Sequence, residues 1–363
     1  MRRHLLLVCL FAAGIGLIYA ILGRYVDGAN ADCISCDAGW YKRIALNGYP
    51  EVGSGEDLGH WQGTDIHQTE WAFFPLYPWL VRTTLHATGL GVGQVYMVLG
   101  ALLSALLALM AYHLFSYMQG ATSAYWGVLA LLSQPFGIYF HLGMTEALFL
   151  CALLGCFLAV KKRWPWGLAF CASILVLTRP NGLFLLPVLV LYANELDGNP
   201  VSSLWRDPMG AFQRSWPLLF PLAAFAGWCI HQWHMTGEPF AFSAAQAGWG
   251  RSLTWPFKGF FNAGDLATQF DSWFTIGLLG VAFTVRKQLP PSLNLLLWVS
   301  ILLPLFSGSV ASMPRFTTVL FPLFLLAGNW LAGQRWKVPI LAMAFMLQLG
   351  WFVLWLKGDL LTC

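Results

Sequence analysis

Ser35-Cys36-Asp37-Ala38-Gly39-Trp40-Tyr41-Lys42-Arg43-Ile44-Ala45, closed by Asn47-Gly48-Tyr49-Pro50, comes shortly after the apolar run 5–22. A run of about 18 apolar residues crosses a bilayer as a helix. This stretch therefore stands where the first crossing has ended. A carboxylate, a set of aromatics and two cations have no part in spanning a bilayer. They read as the first piece of a site at the membrane surface.

Working outward, the rest of the chain is mostly membrane. Of 363 residues, 58% are apolar and 10% charged, and the mean hydropathy is +0.63. Soluble domains carry about 25% charged residues. Period-two alternation is absent, which argues against a β-barrel. The net charge of +4 is small and scattered, so nucleic acid is not an expected partner. No internal repeat stands out, which disfavours repeat-built transporters. Met1-Arg2-Arg3 and the run behind it resemble a signal peptide, but no small-x-small cleavage site follows, so the segment reads as an uncleaved signal-anchor helix.

The pattern predicts an all-α polytopic membrane protein of one domain, 1–363, with eleven spans: 5–22, 92–116, 123–141, 144–160, 165–179, 181–194, 215–234, 272–286, 292–308, 314–331 and 338–356. Cytoplasmic loops carry the excess of Lys and Arg. With the N-terminus inside, Lys161-Lys162-Arg163, Arg206 with Arg214, Arg286-Lys287 and Arg335 with Lys337 all fall on that side. Two long loops, 23–90 and 235–271, then face outward and hold most of the remaining polar chemistry. Within the first, Trp71-Ala72-Phe73-Phe74-Pro75-Leu76-Tyr77-Pro78-Trp79-Leu80 is too short and proline-broken to span, and reads as an interfacial or re-entrant helix. The second is rich in Gly, Trp and Phe, which suits either a lipid entrance or an aromatic belt.

Several ionisable residues sit on the outer side against this pattern. Arg179 lies in Thr178-Arg179-Pro180-Asn181-Gly182, Arg315 in Met313-Pro314-Arg315-Phe316, and Lys42 with Arg43 behind Asp37. Charges at membrane depth are costly and mark functional sites, and guanidinium groups bind phosphate in bidentate fashion. Each arginine taken alone reads equally well as a snorkelling or ion-paired side chain. Glu146 opens the fourth span, where an acid is also a favourable partner of the helix dipole. His141 and Glu146 have poor spacing for a metal, so no metal site is assigned and the need for a metal stays open; no cofactor is expected. Five cysteines, Cys9, Cys151, Cys156, Cys171 and Cys229, lie in spans and read as small apolar residues. Cys33 and Cys36 are either a short disulfide or two free thiols.

Asp37-Ala38-Gly39-Trp40-Tyr41 with Ile44-Ala45 and Gly48-Tyr49 resembles a signature of the multispanning GT-C glycosyltransferases. Phe73-Phe74-Pro75-Leu76-Tyr77-Pro78, Thr145-Glu146-Ala147-Leu148-Phe149, Arg179-Pro180-Asn181-Gly182 and Pro314-Arg315-Phe316 with Leu320-Phe321-Pro322 are similar, in order, to elements of the PIG-V mannosyltransferase family. The resemblance runs from residue 37 to 322, with Cys36, Thr145, Pro180 and Phe316 as departures. It implies a GT-C fold and inverting transfer of a sugar, mannose in eukaryotic members, from a polyprenyl phosphate to a lipid, glycan or protein acceptor. Asp37 is then the candidate base, Arg179 and Arg315 the donor-phosphate ligands, and Trp40, Tyr41, Lys42, Glu70, Glu146 and Asn181 the substrate-binding residues. The expected setting is a bacterial or archaeal plasma membrane or the endoplasmic reticulum, with the site extracytoplasmic or lumenal and room for an accessory membrane subunit. A flippase for a lipid-linked glycan and a noncatalytic scaffold are the competing readings.

Overall fold

A backbone inside a bilayer must satisfy its own N–H and C=O groups, and a helix does this within one segment. The computed structural model describes residues 2–27, 36–51, 68–198, 201–262 and 264–359, and no strand occurs among them. The helices are α1 (Arg2–Asp27), α2 (Asp37–Asn47), α3 (Leu76–Thr88), α4 (Val92–Gln119), α5 (Ala121–Ser133), α6 (Glu146–Lys161), α7 (Pro165–Thr178), α8 (Asn181–Phe184), α9 (Leu186–Leu196), α10 (Ser203–Arg206), α11 (Pro208–Ser215), α12 (Leu219–Thr236), α13 (Ala241–Ala244), α14 (Leu266–Val285), α15 (Pro291–Leu305), α16 (Met313–Phe316), α17 (Phe321–Ala332) and α18 (Lys337–Leu356). Three segments, Arg3–Gly23, Val92–Gln119 and Lys337–Leu356, are long and apolar enough to cross a membrane by length and composition. Five shorter apolar helices lie among the rest.

Every expected span meets helix, but three of them are broken. The span 123–141 stops at Ser133 and continues as the 3₁₀ turn Pro135–Phe140. The span 181–194 divides between α8 and α9 at Leu185, and 314–331 divides between α16 and α17. Proline lacks a backbone donor and cannot continue a helix behind it, and Pro135, Pro187 and Pro322 stand at these breaks. A broken helix leaves carbonyl groups without partners. At the first break they are supplied from another helix. Gln348 of α18, fully buried, donates to the carbonyls of Leu132 and Gln134 at 2.9 and 2.6 Å.

The helices pack through small residues as well as large ones. α17 crosses α5 at Gly127 and Gly328, where a methyl group on Gly328 would lie 2.4 Å from the Ser123 carbonyl oxygen. Close approach of this kind is how helices associate without a hydrophobic driving force between them. α4 lies inside, against α1, α5 and α6. The outer faces of α1 and α18 expose Leu6, Leu10, Leu17, Met343, Met346 and Leu347, as a lipid-facing surface does.

The bundle has two chemically different ends. Arg163 pairs with Asp197, Arg214 with Asn194, and Ser292 with Glu195, which gathers the connections after α6, α9, α11 and before α15 at one end. Glu146, Arg179 and Arg315, together with Asp37, lie at the other. Both long loops reach that second end. The first folds into α2, the 3₁₀ turn Glu70–Ala72 and α3, with Trp79 of α3 left exposed. Tyr96 fixes α2 to α4 by donating to the Ala38 carbonyl at 2.7 Å, and Trp71 fixes the turn by donating to the Pro50 carbonyl at 3.1 Å.

Candidate active site

Each charged residue reaches the site through a local feature of its own. Asp37 opens α2 behind Cys36, which is disulfide-bonded; Cys33, its expected partner, lies outside the described residues. Arg179 ends α7 with φ −152° and ψ 147°, because a residue before proline avoids the helical region and Pro180 follows. The chain leaves the helix there and the side chain turns inward. Arg315 sits in α16, which begins after Ser312 in the left-handed region at φ 66°. The Ser312 N–H donates to the buried Asp271 carboxylate at 2.7 Å, so α14 holds the turn that carries Arg315.

These side chains meet on one oxygen. Glu146 Oε1 accepts from Arg179 Nη2 and, at 2.6 Å, from Arg315 Nε. Arg315 Nη2 goes on to pair with Asp37 Oδ2. Arg179 Nε donates to the Thr145 hydroxyl at 2.6 Å. Thr145 and Glu146 are therefore ligands of arginines, not caps of α6: no side-chain cap bond forms at this helix start. Glu146 is 0% exposed, whereas Asp37 keeps 25% of its side chain exposed. Of the two acids, only Asp37 can touch a substrate.

Asp37 opens onto a cavity of about 530 Å³ whose walls include Trp40, Tyr41, Phe73, Arg179, Asn181, Trp249, Arg251, Arg315 and Phe316. One wall is aromatic. Trp40 stacks on Phe73 at 5.8 Å, and Trp249 meets both edge-on at 5.6 Å. The other is cationic, with the guanidinium groups of Arg179, Arg251 and Arg315 at 5.8, 5.4 and 5.5 Å from the Phe316 ring. Burial, and next the charge of Asp37, push the Tyr41 phenol above its usual range, so it remains a hydrogen-bond donor.

The geometry sorts the residues predicted from sequence. Asp37, Trp40, Tyr41, Arg179, Asn181 and Arg315 line the cavity. Glu146 lies beneath it. Lys42 and Glu70 are not on its walls, and Glu70 pairs with Arg43 at 3.8 Å. Arg179 and Arg315 do come together, but their Nε and Nη2 groups are already committed to Thr145, Glu146 and Asp37. Sequence reasoning missed Asp271, and took Trp249 and Arg251 only as part of an outer loop suited to a lipid entrance or an aromatic belt. For Arg251 the available signal was a cation on a cation-poor outer loop, next to Trp249-Gly250. Burial lowers its pKa and Asp37 opposes that shift, yet a guanidinium stays protonated at neutral pH.

No family model and no curated protein matches the chain. Solved structures do. ArnT from Cupriavidus metallidurans bound to undecaprenyl phosphate aligns with a TM-score of 0.55 and 17% identity, over 93% of this chain and 64% of that one. Its apo state aligns with a TM-score of 0.51 and 18% identity, over 94% and 64%. This is a GT-C-type fold, on an all-α polytopic membrane protein. The chain spans about 64% of the length of the structures it matches.

Proposed function

We propose that this GT-C-type protein transfers a sugar from a polyprenyl phosphate to a hydroxyl of a lipid, glycan or protein acceptor. The observation that carries the proposal is the pairing, in one cavity, of a partly exposed carboxylate, the only one among the described lining residues, with an aromatic wall and guanidinium groups. The binding of undecaprenyl phosphate by the ArnT structure supports the lipid-phosphate class of donor. The motifs resembling those of PIG-V support mannose as the sugar. The site faces the extracytoplasmic or lumenal side, since it lies opposite the basic loops. Ionisable residues at one end, not at mid-bundle, favour an enzyme over a transporter, whose sites lie near the midplane.

In the mechanism, the acceptor hydroxyl attacks the anomeric carbon as Asp37 takes its proton. The bond from the anomeric carbon to the phosphate oxygen breaks, and its electron pair stays on the lipid phosphate. Inversion follows from a single displacement. Arg315 orients Asp37, and Glu146 sets the positions of both Arg315 and Arg179. Trp40 and Tyr41 face the sugar, with Asn181 on the same wall.

Purified protein in detergent, given polyprenyl-phosphate mannose and a panel of hydroxyl acceptors, is expected to yield a product heavier by one hexose, detected by mass. Failure with every polyprenyl-phosphate sugar, alongside movement of the lipid across reconstituted bilayers, would replace the enzyme by a transporter.

A further inference from the structure

We infer that Arg251 anchors the donor's phosphate, in a subsite built for the single negative charge of a phosphodiester. The inference rests on the transfer reaction proposed above and assigns a part of it that Arg179 and Arg315 leave open. Glu146 and Asp37 neutralise those two arginines. Asp37 is the one carboxylate among the described residues of the cavity wall, against three arginines. Arg251 is thus the surplus positive charge. Among the described residues its guanidinium has no hydrogen bond or ion pair, only the face of Phe316 at 5.4 Å.

A partly buried, unpaired charge is costly. Here it is held in place. The Arg251 N–H closes a turn onto the Gln246 carbonyl at 3.1 Å, through Gly250 at φ 65°, a conformation that suits glycine. The next residues are tied to the end of α15, with Ser252 N–H to the Ser307 carbonyl at 3.1 Å and Thr254 N–H to the Phe306 carbonyl at 2.9 Å. The loop therefore presents a fixed guanidinium fork, the geometry that suits two phosphate oxygens.

The charges balance through the reaction. A sugar phosphodiester brings one negative charge, which cancels that of Arg251. In the transfer, the proton lost by the acceptor neutralises Asp37, while the departing lipid phosphate gains a second negative charge. Arg315, relieved of Asp37, is then the partner for that second charge. The site stays neutral overall, and its donors are already aimed at the charge that develops. A diphosphate donor would bring one charge too many before the reaction began.

Saturation binding to the purified, full-length protein in detergent tests this without turnover. The probes are radiolabelled farnesyl phosphate, its singly charged methyl diester, and farnesol, so that the two monophosphates differ by about one charge. The wild type is expected to prefer either monophosphate to the alcohol. Arg251→Gln should weaken monophosphate binding about 10- to 100-fold, the worth of a charged hydrogen-bonded pair, and leave farnesol binding and the melting temperature unchanged. Arg251→Lys should fall between, and Asp37→Asn should bind the diester at least as tightly as the wild type and the nearly doubly charged monoester more tightly, since it frees Arg315. If Arg251→Gln binds farnesyl phosphate like the wild type, this assignment is wrong while the transfer reaction stands. If the wild type itself prefers neither phosphate to farnesol, the lipid-phosphate donor falls and this subsite with it.

Discussion

Glu146 carries two guanidinium groups on one buried oxygen. Removing one member of a buried charged set leaves the others uncompensated, typically at a cost of about 3–5 kcal/mol. Glu146→Ala should therefore lower stability by about that amount in denaturant titrations of the detergent-solubilised protein, and Glu146→Gln should show a similar loss despite its shape. An unchanged midpoint in both would mean that the arginines are compensated by other groups. Asp37 behaves differently because it is partly exposed. Asp37→Asn should keep the fold and cut turnover about 10²–10⁴-fold, the usual contribution of a general base, measured by the mass-detected transfer assay. The participants could be seen in the sequence because charge in apolar surroundings stands out: Asp37, Glu146, Arg179 and Arg315 each break the pattern of a membrane chain. Their wiring could not. The bonds to Glu146 span 33 and 169 residues, and no spacing rule reaches that far. Arg251 gave a weaker signal, one arginine in a cation-poor outer loop, and its place on the cavity wall depends on helices far from it in sequence.

At the scale of the helices, hydropathy located the spans and missed their interruptions. Apolarity averages over a window, whereas a break depends on a single proline and on another helix ready to supply hydrogen bonds. Gln348→Leu tests that supply. It keeps the bulk and removes both donations to Leu132 and Gln134. Each buried carbonyl left unsatisfied costs about 1–3 kcal/mol, so a fall of several degrees in the melting temperature is expected. The contact of α5 with α17 was equally invisible, because two glycines announce nothing until their helices cross. Gly328→Val should destabilise by about 1–3 kcal/mol, the usual cost of overpacking, and most of the loss should return with smaller neighbours at the crossing.

For the whole molecule, the alternation of short basic loops was enough to place the two ends of the bundle. The cations and the acid–arginine cluster do lie apart. The sequence had no means of showing that the loops before α3 and after α12 close on one cavity, since that requires all the helices between them. The proposed orientation is open to direct test. Leu253, 92% exposed on the cavity side, and Lys162, beyond the far end of α6, should label from opposite faces of intact membrane vesicles when each is replaced by cysteine. Labelling of both positions from one face would overturn the orientation.

The bond between Asp37 and Arg315 joins residues 278 positions apart, and that distance is also a delay. At about 5–20 residues per second, a ribosome needs roughly 14 to 56 seconds to travel from one to the other. Glu146 receives Arg179 about halfway through that interval, but Asp37 must wait for the turn that closes it. A chain halted before α16 leaves Asp37 without its Arg315 partner and the cavity open on one side. The charged cluster is therefore complete only once α16 has been made, and a product shortened before α16 lacks Arg315.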